Sequence, residues 1–149
     1  MDIRDCTPDE VFNAPGYADC FAEYSAECAN HSIGETRPDV ERYRQMHELG
    51  MLACGGAFDG DTLVGVVWLM ITPVGHYGGQ KIATTESLFL RKAYREGLAG
   101  IRLIKWAKAR ARELGCPVLY ISTPAGSRLD AIGAHLWKRT NVVYCMETK

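Results

Sequence analysis

Arg95-Glu-Gly-Leu-Ala-Gly-Ile101 opens the most regular helical stretch of the chain, and its residue types suit an anion. A helix start leaves its first amides unpaired and carries a partial positive charge of about 0.5, so it can hold a phosphate or pyrophosphate. Gly97 and Gly100 let the main chain approach such a group, and Arg95 adds a cation. The loop lacks the third glycine of a dinucleotide-binding G-x-G-x-x-G and the Gly-Lys-Ser/Thr of a Walker loop. Around it, residues 91–112 carry eight bases and one acid, a net +7, whereas residues 1–50 carry eleven acids and four bases, a net −7. A block that basic suits phosphate-rich partners, either nucleic acid or a phosphorylated cofactor. The six cysteines form no C-x-x-C pair, and Cys28 with His31 has no second pair at zinc-like spacing, so no metal is expected. They read as reduced, mostly buried small hydrophobes.

The elements that position this loop follow from periodicity. A short first strand, Met1 to Asp5, ends at Thr7-Pro8, and helices are expected over 18–29 and from Pro38-Asp39 to Leu49. Met51–Phe58 and Thr62–Thr72 flank the hairpin turn Asp59-Gly60-Asp61, and Ile82–Leu90 follows as another strand. Leu98–Leu114 is the clearest helix, with Leu98, Ile101, Ile104, Ala107, Ala111 and Leu114 as its apolar stripe and Gly115-Cys-Pro117 as its stop. A buried strand at Val118–Thr123, a helix over Ser127–Arg139 and a last strand at Val142–Glu147 complete the order. That order, β-α-α-β-β-β-α-β-α-β, implies an α/β domain: a mixed, mostly antiparallel sheet with helices on both faces and one β-α-β crossover. The 149 residues suit one domain, 1–149, and 47% hydrophobic content excludes a disordered or collagen-like chain. The longest apolar run, about Leu63 to Ile71, falls far short of the ~20 residues of a membrane helix, and no secretory signal opens the chain. A soluble, cytoplasmic protein without a membrane partner is expected.

Arg95 and Gly100 at this point resemble the GNAT acyltransferase superfamily, whose signature Arg/Gln-x-x-Gly-x-Gly/Ala lies between its fourth strand and third helix. Leu98 stands where the first glycine is usual, with Gly97 one residue earlier. Ser-Leu-Phe-Leu before Tyr94-Arg95 and the full element order carry the likeness across nearly the whole chain. His76-Tyr77 and Tyr94-Arg95…Ala99-Gly100 are most similar to small phage- or prophage-associated members. The resemblance implies an N-acetyltransferase using acetyl-CoA, or another acyl-CoA. Its pyrophosphate would lie on the amides of Glu96, Gly97, Leu98, Ala99, Gly100 and Ile101, beside Arg95. Its pantetheine arm would pair with the main chain of Leu88, Phe89 and Leu90, where the fourth and fifth strands splay.

An alkylammonium has a pKa of about 10.4, so an amine acceptor must lose a proton to a base before it attacks the thioester. Glu86 is the first choice, and its parity with Leu88 and Leu90 places all three on one sheet face. The family's usual acid is a tyrosine in the last helix, and Trp137 occupies that position. His76, Tyr120 and Tyr144 are the candidates to replace it, His76 because its loop commonly lines the family's acceptor cleft. The acidic first half, through Glu23, Glu27, Glu35 and Glu48, favours a cationic acceptor, either a small molecule or a protein amine. A nucleic-acid partner is not favoured, since only Trp106 and Tyr94 interleave with the bases and the pI is about 6.4. An inactive binding protein of the same fold is the remaining alternative, and the family likeness leaves a homodimer open.

Overall fold

Thr7 ends a strand and starts a helix within one residue. Its hydroxyl accepts from Glu10 N at 3.2 Å while the Glu10 carboxylate accepts from Thr7 N at 2.6 Å, a reciprocal cap with Pro8 in the first turn. The computed structural model describes residues 1–148. Their elements run β1 (Asp2–Cys6), α1 (Pro8–Phe12), α2 (Tyr17–Cys28), α3 (Val40–Glu48), β2 (Leu52–Asp59), β3 (Thr62–Val74), β4 (Gln80–Leu90), α4 (Ala99–Glu113), β5 (Leu119–Tyr120) and α5 (Arg128–Leu136). Short 3-10 turns at Gly75–Tyr77 and Lys92–Tyr94 follow β3 and β4.

The sheet is ordered β1-β2-β3-β4-β5, with the first four strands antiparallel and β5 parallel to β4. Each face buries its own core, as the two-residue alternation of strands requires. Val67, Leu69, Ile71, Ala83 and Leu90 pack with Leu103, Ala107 and Ala111 of α4 on one side. Leu52, Cys54, Val66, Trp68 and Phe89 pack with Val11, Cys20 and neighbouring aromatic rings of α1–α3 on the other. This is the mixed α/β sandwich expected, with α4 as its crossover. Among the described residues no helix is long and apolar enough to cross a membrane.

Three expectations are corrected here. Pro8 begins a helix, α1, where the chain was expected only to leave its strand, because Thr7 supplies the cap that Pro8 needs. Leu98 is not in the buried stripe of α4; it is the N-cap residue and 71% exposed, and Leu103 takes a core place instead. Residues 142–147 are not a strand: Val143 is 90% and Tyr144 88% exposed. A strand exists only where a neighbour completes its ladder, and a two-residue β5 offers almost no edge to extend.

Candidate functional site

The register of β4 against β3 slips once. Trp68 pairs with Ser87 and Leu69 with Thr85, so Glu86 is the extra residue of a β-bulge. The slip puts Glu86 and Ser87 side by side on the α1–α3 face, opposite to Leu88 and Leu90. The parity expected from sequence thus fails at Glu86, because a bulge inserts one residue into a period of two. There the Glu86 carboxylate accepts from the Tyr43 hydroxyl at 2.8 Å. Burial first, and then the Glu86 charge, pushes the Tyr43 phenol well above its usual range, so it remains a donor.

Glu86 and Tyr43 border a cavity of about 200 Å³ walled mainly by aromatic rings. Trp68 lies 4.8 Å from the Tyr43 ring and stacks on Phe12 at 5.6 Å, and Tyr17 stacks on Phe21 at 5.8 Å. Phe12 meets Tyr43 edge-on at 5.5 Å. Cys20 completes the wall near α2, and burial pushes its thiol up to about 11, which keeps it protonated and unreactive.

On the other side of Glu86, β4 has an open edge. β5 pairs with it only at Ala83 and Thr84, and Ser122 N donates to Thr85 Oγ1 at 2.9 Å as the two strands part. From Ser87 to Leu90, β4 pairs with β3 alone. The alternation of main-chain groups aims those of Leu88 and Leu90 at the open edge. Next comes the helix start. The first main-chain bond of α4 runs from Arg102 N to Leu98 O at 2.9 Å, which leaves the amides of Ala99, Gly100 and Ile101 without an intrahelical partner. No side chain caps them. Gly97 sits at φ +59°, the left-handed region that glycine favours, and open space surrounds the Cα of Gly100. An acyl-CoA pyrophosphate would fit these unpaired amides, and a pantetheine chain would fit the open edge of β4 at the main-chain groups of Leu88 and the N–H of Leu90, since Arg95 engages Leu90 O.

Arg95, expected to add a cation beside the amides, is fixed by protein partners. Its Nε donates to Leu90 O at 2.6 Å, and its other two nitrogens grip the Glu27 carboxylate at 2.8 and 3.0 Å. Arg91 holds Glu23 at 2.7 Å in the same way. These pairs neutralise two of the four carboxylates expected to wall the acceptor site, and none of the four, Glu23, Glu27, Glu35 and Glu48, lines the cavity. His76 is in the turn after β3, its ring 4.5 Å from that of Tyr77, and it does not line the cavity either. With β4 rising about 3.3 Å per residue, the six steps from Gln80 to Glu86 separate that turn from Glu86 by about 20 Å. The fold therefore does not bring His76 and Glu86 together. Trp137 follows α5 and folds its ring over Gly133. Of the other two candidates for the acid, Tyr144 is 88% exposed and Tyr120 stands in register beside Thr84, next to the splay.

Tyr43, Tyr17, Phe12 and Arg37 are site residues that sequence reasoning missed. Phe21 and Tyr24 recur at the spacing of a core stripe in the first long helix, and nothing local distinguishes a ring that fills a core from one that walls a cavity.

Comparison with known proteins bears on this geometry. Residues 18–136 match the sequence model described as "Acetyltransferase (GNAT) family". No curated protein sequence matches the chain. Among solved structures, a ribosomal-protein-alanine N-acetyltransferase from Brucella melitensis biovar Abortus superposes with a TM-score of 0.70 at 16% identity, covering 98% of both chains. An aminoglycoside acetyltransferase from an uncultured soil metagenomic sample, in complex with trehalose, gives 0.76 at 14% identity over 99% of this chain and 95% of its own. AAC(6')-Iy, bound to the bisubstrate analogue CoA-S-monomethyl-acetylneamine, gives 0.70 at 15% identity over 99% and 97%. At such identities the likeness is one of fold.

Proposed function

The chain belongs to the acetyltransferase (GNAT) family and is an acyl-CoA-dependent N-acyltransferase, and on that premise we propose that it acetylates a small-molecule amine seated in the aromatic cavity, with acetyl-CoA as donor. The observation that carries this reading is the bulge at Glu86, which sets a carboxylate in the cavity wall beside the unpaired edge of β4.

The amides of residues 96–101 would hold the pyrophosphate, and the main-chain groups of Leu88 with the N–H of Leu90 the pantetheine arm. Acetyl-CoA bound there supplies the acyl group: the amine nitrogen forms the new C–N bond and sheds its second proton, the C–S bond breaks, and the departing sulfur takes up a proton from a donor that the nitrogen's proton restores. Glu86 receives the proton that an ammonium must lose first, directly or through one water. Tyr43 fixes the orientation of that carboxylate by donating to Oε1, which leaves Oε2 for the proton. A main-chain N–H on the open edge of β4 faces the developing oxyanion. Trp137 has no acidic proton to give, so Tyr120 beside the splay is the donor we assign to the departing sulfur. All six cysteines are free thiols, which supports a reducing, cytoplasmic setting.

The test compares the native protein with Glu86→Gln. Acetyl-CoA should raise the melting temperature of both, because a ligand that binds only the native state stabilises it. Thiol release in the presence of amines should fall by about 10²–10⁴-fold in the variant. Unchanged turnover, or an unaltered pH profile, would remove Glu86 as the base.

A further inference from the structure

The charge on the cavity wall is as informative as its carboxylate. Glu86 is the only acid among the lining residues, and Arg37 is the only base. Arg37 makes no ion pair with any described residue, as is true also of Arg4, Arg42, Arg102, Arg112 and Arg128, but of these six only Arg37 lines the cavity. Its place is nonetheless defined. Just before it, the Thr36 hydroxyl donates to Ser25 Oγ at 2.9 Å, tying the loop to α2. Just after it, Pro38 restricts the Arg37 backbone to extended conformations, and Asp39 caps α3 by accepting from Arg42 N at 3.0 Å. An exposed, unpaired guanidinium on a backbone anchored at both sides, at the rim of a small cavity, offers a fork for a carboxylate.

Six of the eleven remaining lining residues are aromatic, and their rings attract an ammonium as well as an apolar body. Size narrows the choice further, since about 200 Å³ lies below the ~300–1,000 Å³ of sites for drug-sized ligands. A polycationic, multi-ring aminoglycoside would meet one carboxylate and a repelling guanidinium. We infer that the acceptor is a small zwitterionic amine with an apolar or aromatic body, of amino-acid type, whose ammonium faces Glu86 and whose carboxylate is held by Arg37. This rests on the acyltransferase reading above and adds the acceptor class to it.

Three probes separate the cases: L-phenylalanine, 2-phenylethylamine, which keeps the ring and amine but lacks the carboxylate, and neamine, a polycation. Thiol release from acetyl-CoA should give L-phenylalanine a kcat/KM at least about tenfold above 2-phenylethylamine, the worth of one charge-assisted pair. Arg37→Gln should bring that ratio close to one through KM rather than kcat, and Arg37→Lys should restore part of it. Calorimetric binding of L-phenylalanine to the protein without acetyl-CoA should weaken by the same factor in Arg37→Gln. Equal use of both phenyl compounds, preference for neamine, turnover of none of the three while acetyl-CoA binds, or a ratio indifferent to Arg37→Gln would each overturn the acceptor class and leave the acyltransferase reading standing. Failure of acetyl-CoA to bind would instead remove that reading, and this inference with it.

Discussion

The two faces of the sheet solve the same packing problem with opposite residues. Toward α4 the strands present small side chains, Ala53, Ala57 and Ala83, to Ala107 and Ala111 of the helix. Gly55 goes further, since a Cβ there would stand 2.6–2.8 Å from the Trp106 ring. Helix and sheet therefore approach closely over the strand centres. Toward α1–α3 the contacts are rings: Phe12, Tyr17, Tyr24 and Tyr43 against Trp68 and Phe89. Large rigid rings meeting edge-on and stacked do not tile a surface, and the gap they leave is the cavity that Glu86 enters. One face is filled to be rigid, and the other is left incomplete where a ligand would finish it. The bare amides at the start of α4, the proposed anion cradle, belong to the first kind of construction, because main-chain amides on a well-packed helix need no side chain to aim them.

That contrast is broken most severely at the cradle. Gly100→Glu adds a negative charge where a pyrophosphate would rest, and like-charge contact costs several kcal/mol, so acetyl-CoA should bind about 100-fold more weakly or worse. Open space around Gly100 means the fold should survive. Calorimetry with circular dichroism as a control checks both parts, and unchanged affinity would take the loop out of the site.

A smaller effect sharpens the packing half of the comparison. Gly55→Val forces a branched side chain into the Trp106 ring and should cost about 1–3 kcal/mol in denaturant unfolding. Phe21→Trp adds the same number of heavy atoms, but beside the cavity, and should cost less than about 1 kcal/mol. Equal costs would mean the two faces are packed alike.

Much of this was legible in the sequence. Apolar periodicity, Gly115-Cys-Pro117 and the Asp59-Gly-Asp61 turn placed α4 and the β2–β3 hairpin to within a residue or two, since those signals are local. The loop after β4 was legible for the same reason: glycines before a helix state where bare amides will be. What stayed hidden depends on pairing between distant segments. The bulge at Glu86 is a relation between β4 and β3, and neither strand's residues announce it. The engagement of Arg95 and Arg91 by Glu27 and Glu23 joins α2 to a loop nearly 70 residues later. Val142–Glu147 has the residue types of a strand, yet no neighbouring edge makes it one.

The smallest expected effect uses pH to separate the faces. Burial raises the thiols of Cys6, Cys20 and Cys54 and the phenols of Tyr17, Tyr24 and Tyr43, all in the α1–α3 core. The α4 side has Cys116 and Tyr94 as its counterparts. A raised acid holds its proton more tightly folded than unfolded, so its contribution is complete below the unfolded value and is lost as pH rises. For Cys20 that window opens near the ordinary thiol value of 9.0 and extends to about 11. Alkaline titration should thus loosen the α1–α3 face first. Trp68 fluorescence in a Trp106→Phe, Trp137→Phe background should shift at lower pH than Trp106 fluorescence in a Trp68→Phe, Trp137→Phe background. Coincident transitions would show that the two cores unfold as one unit, and an earlier change at Trp106 would reverse the assignment of the weaker face.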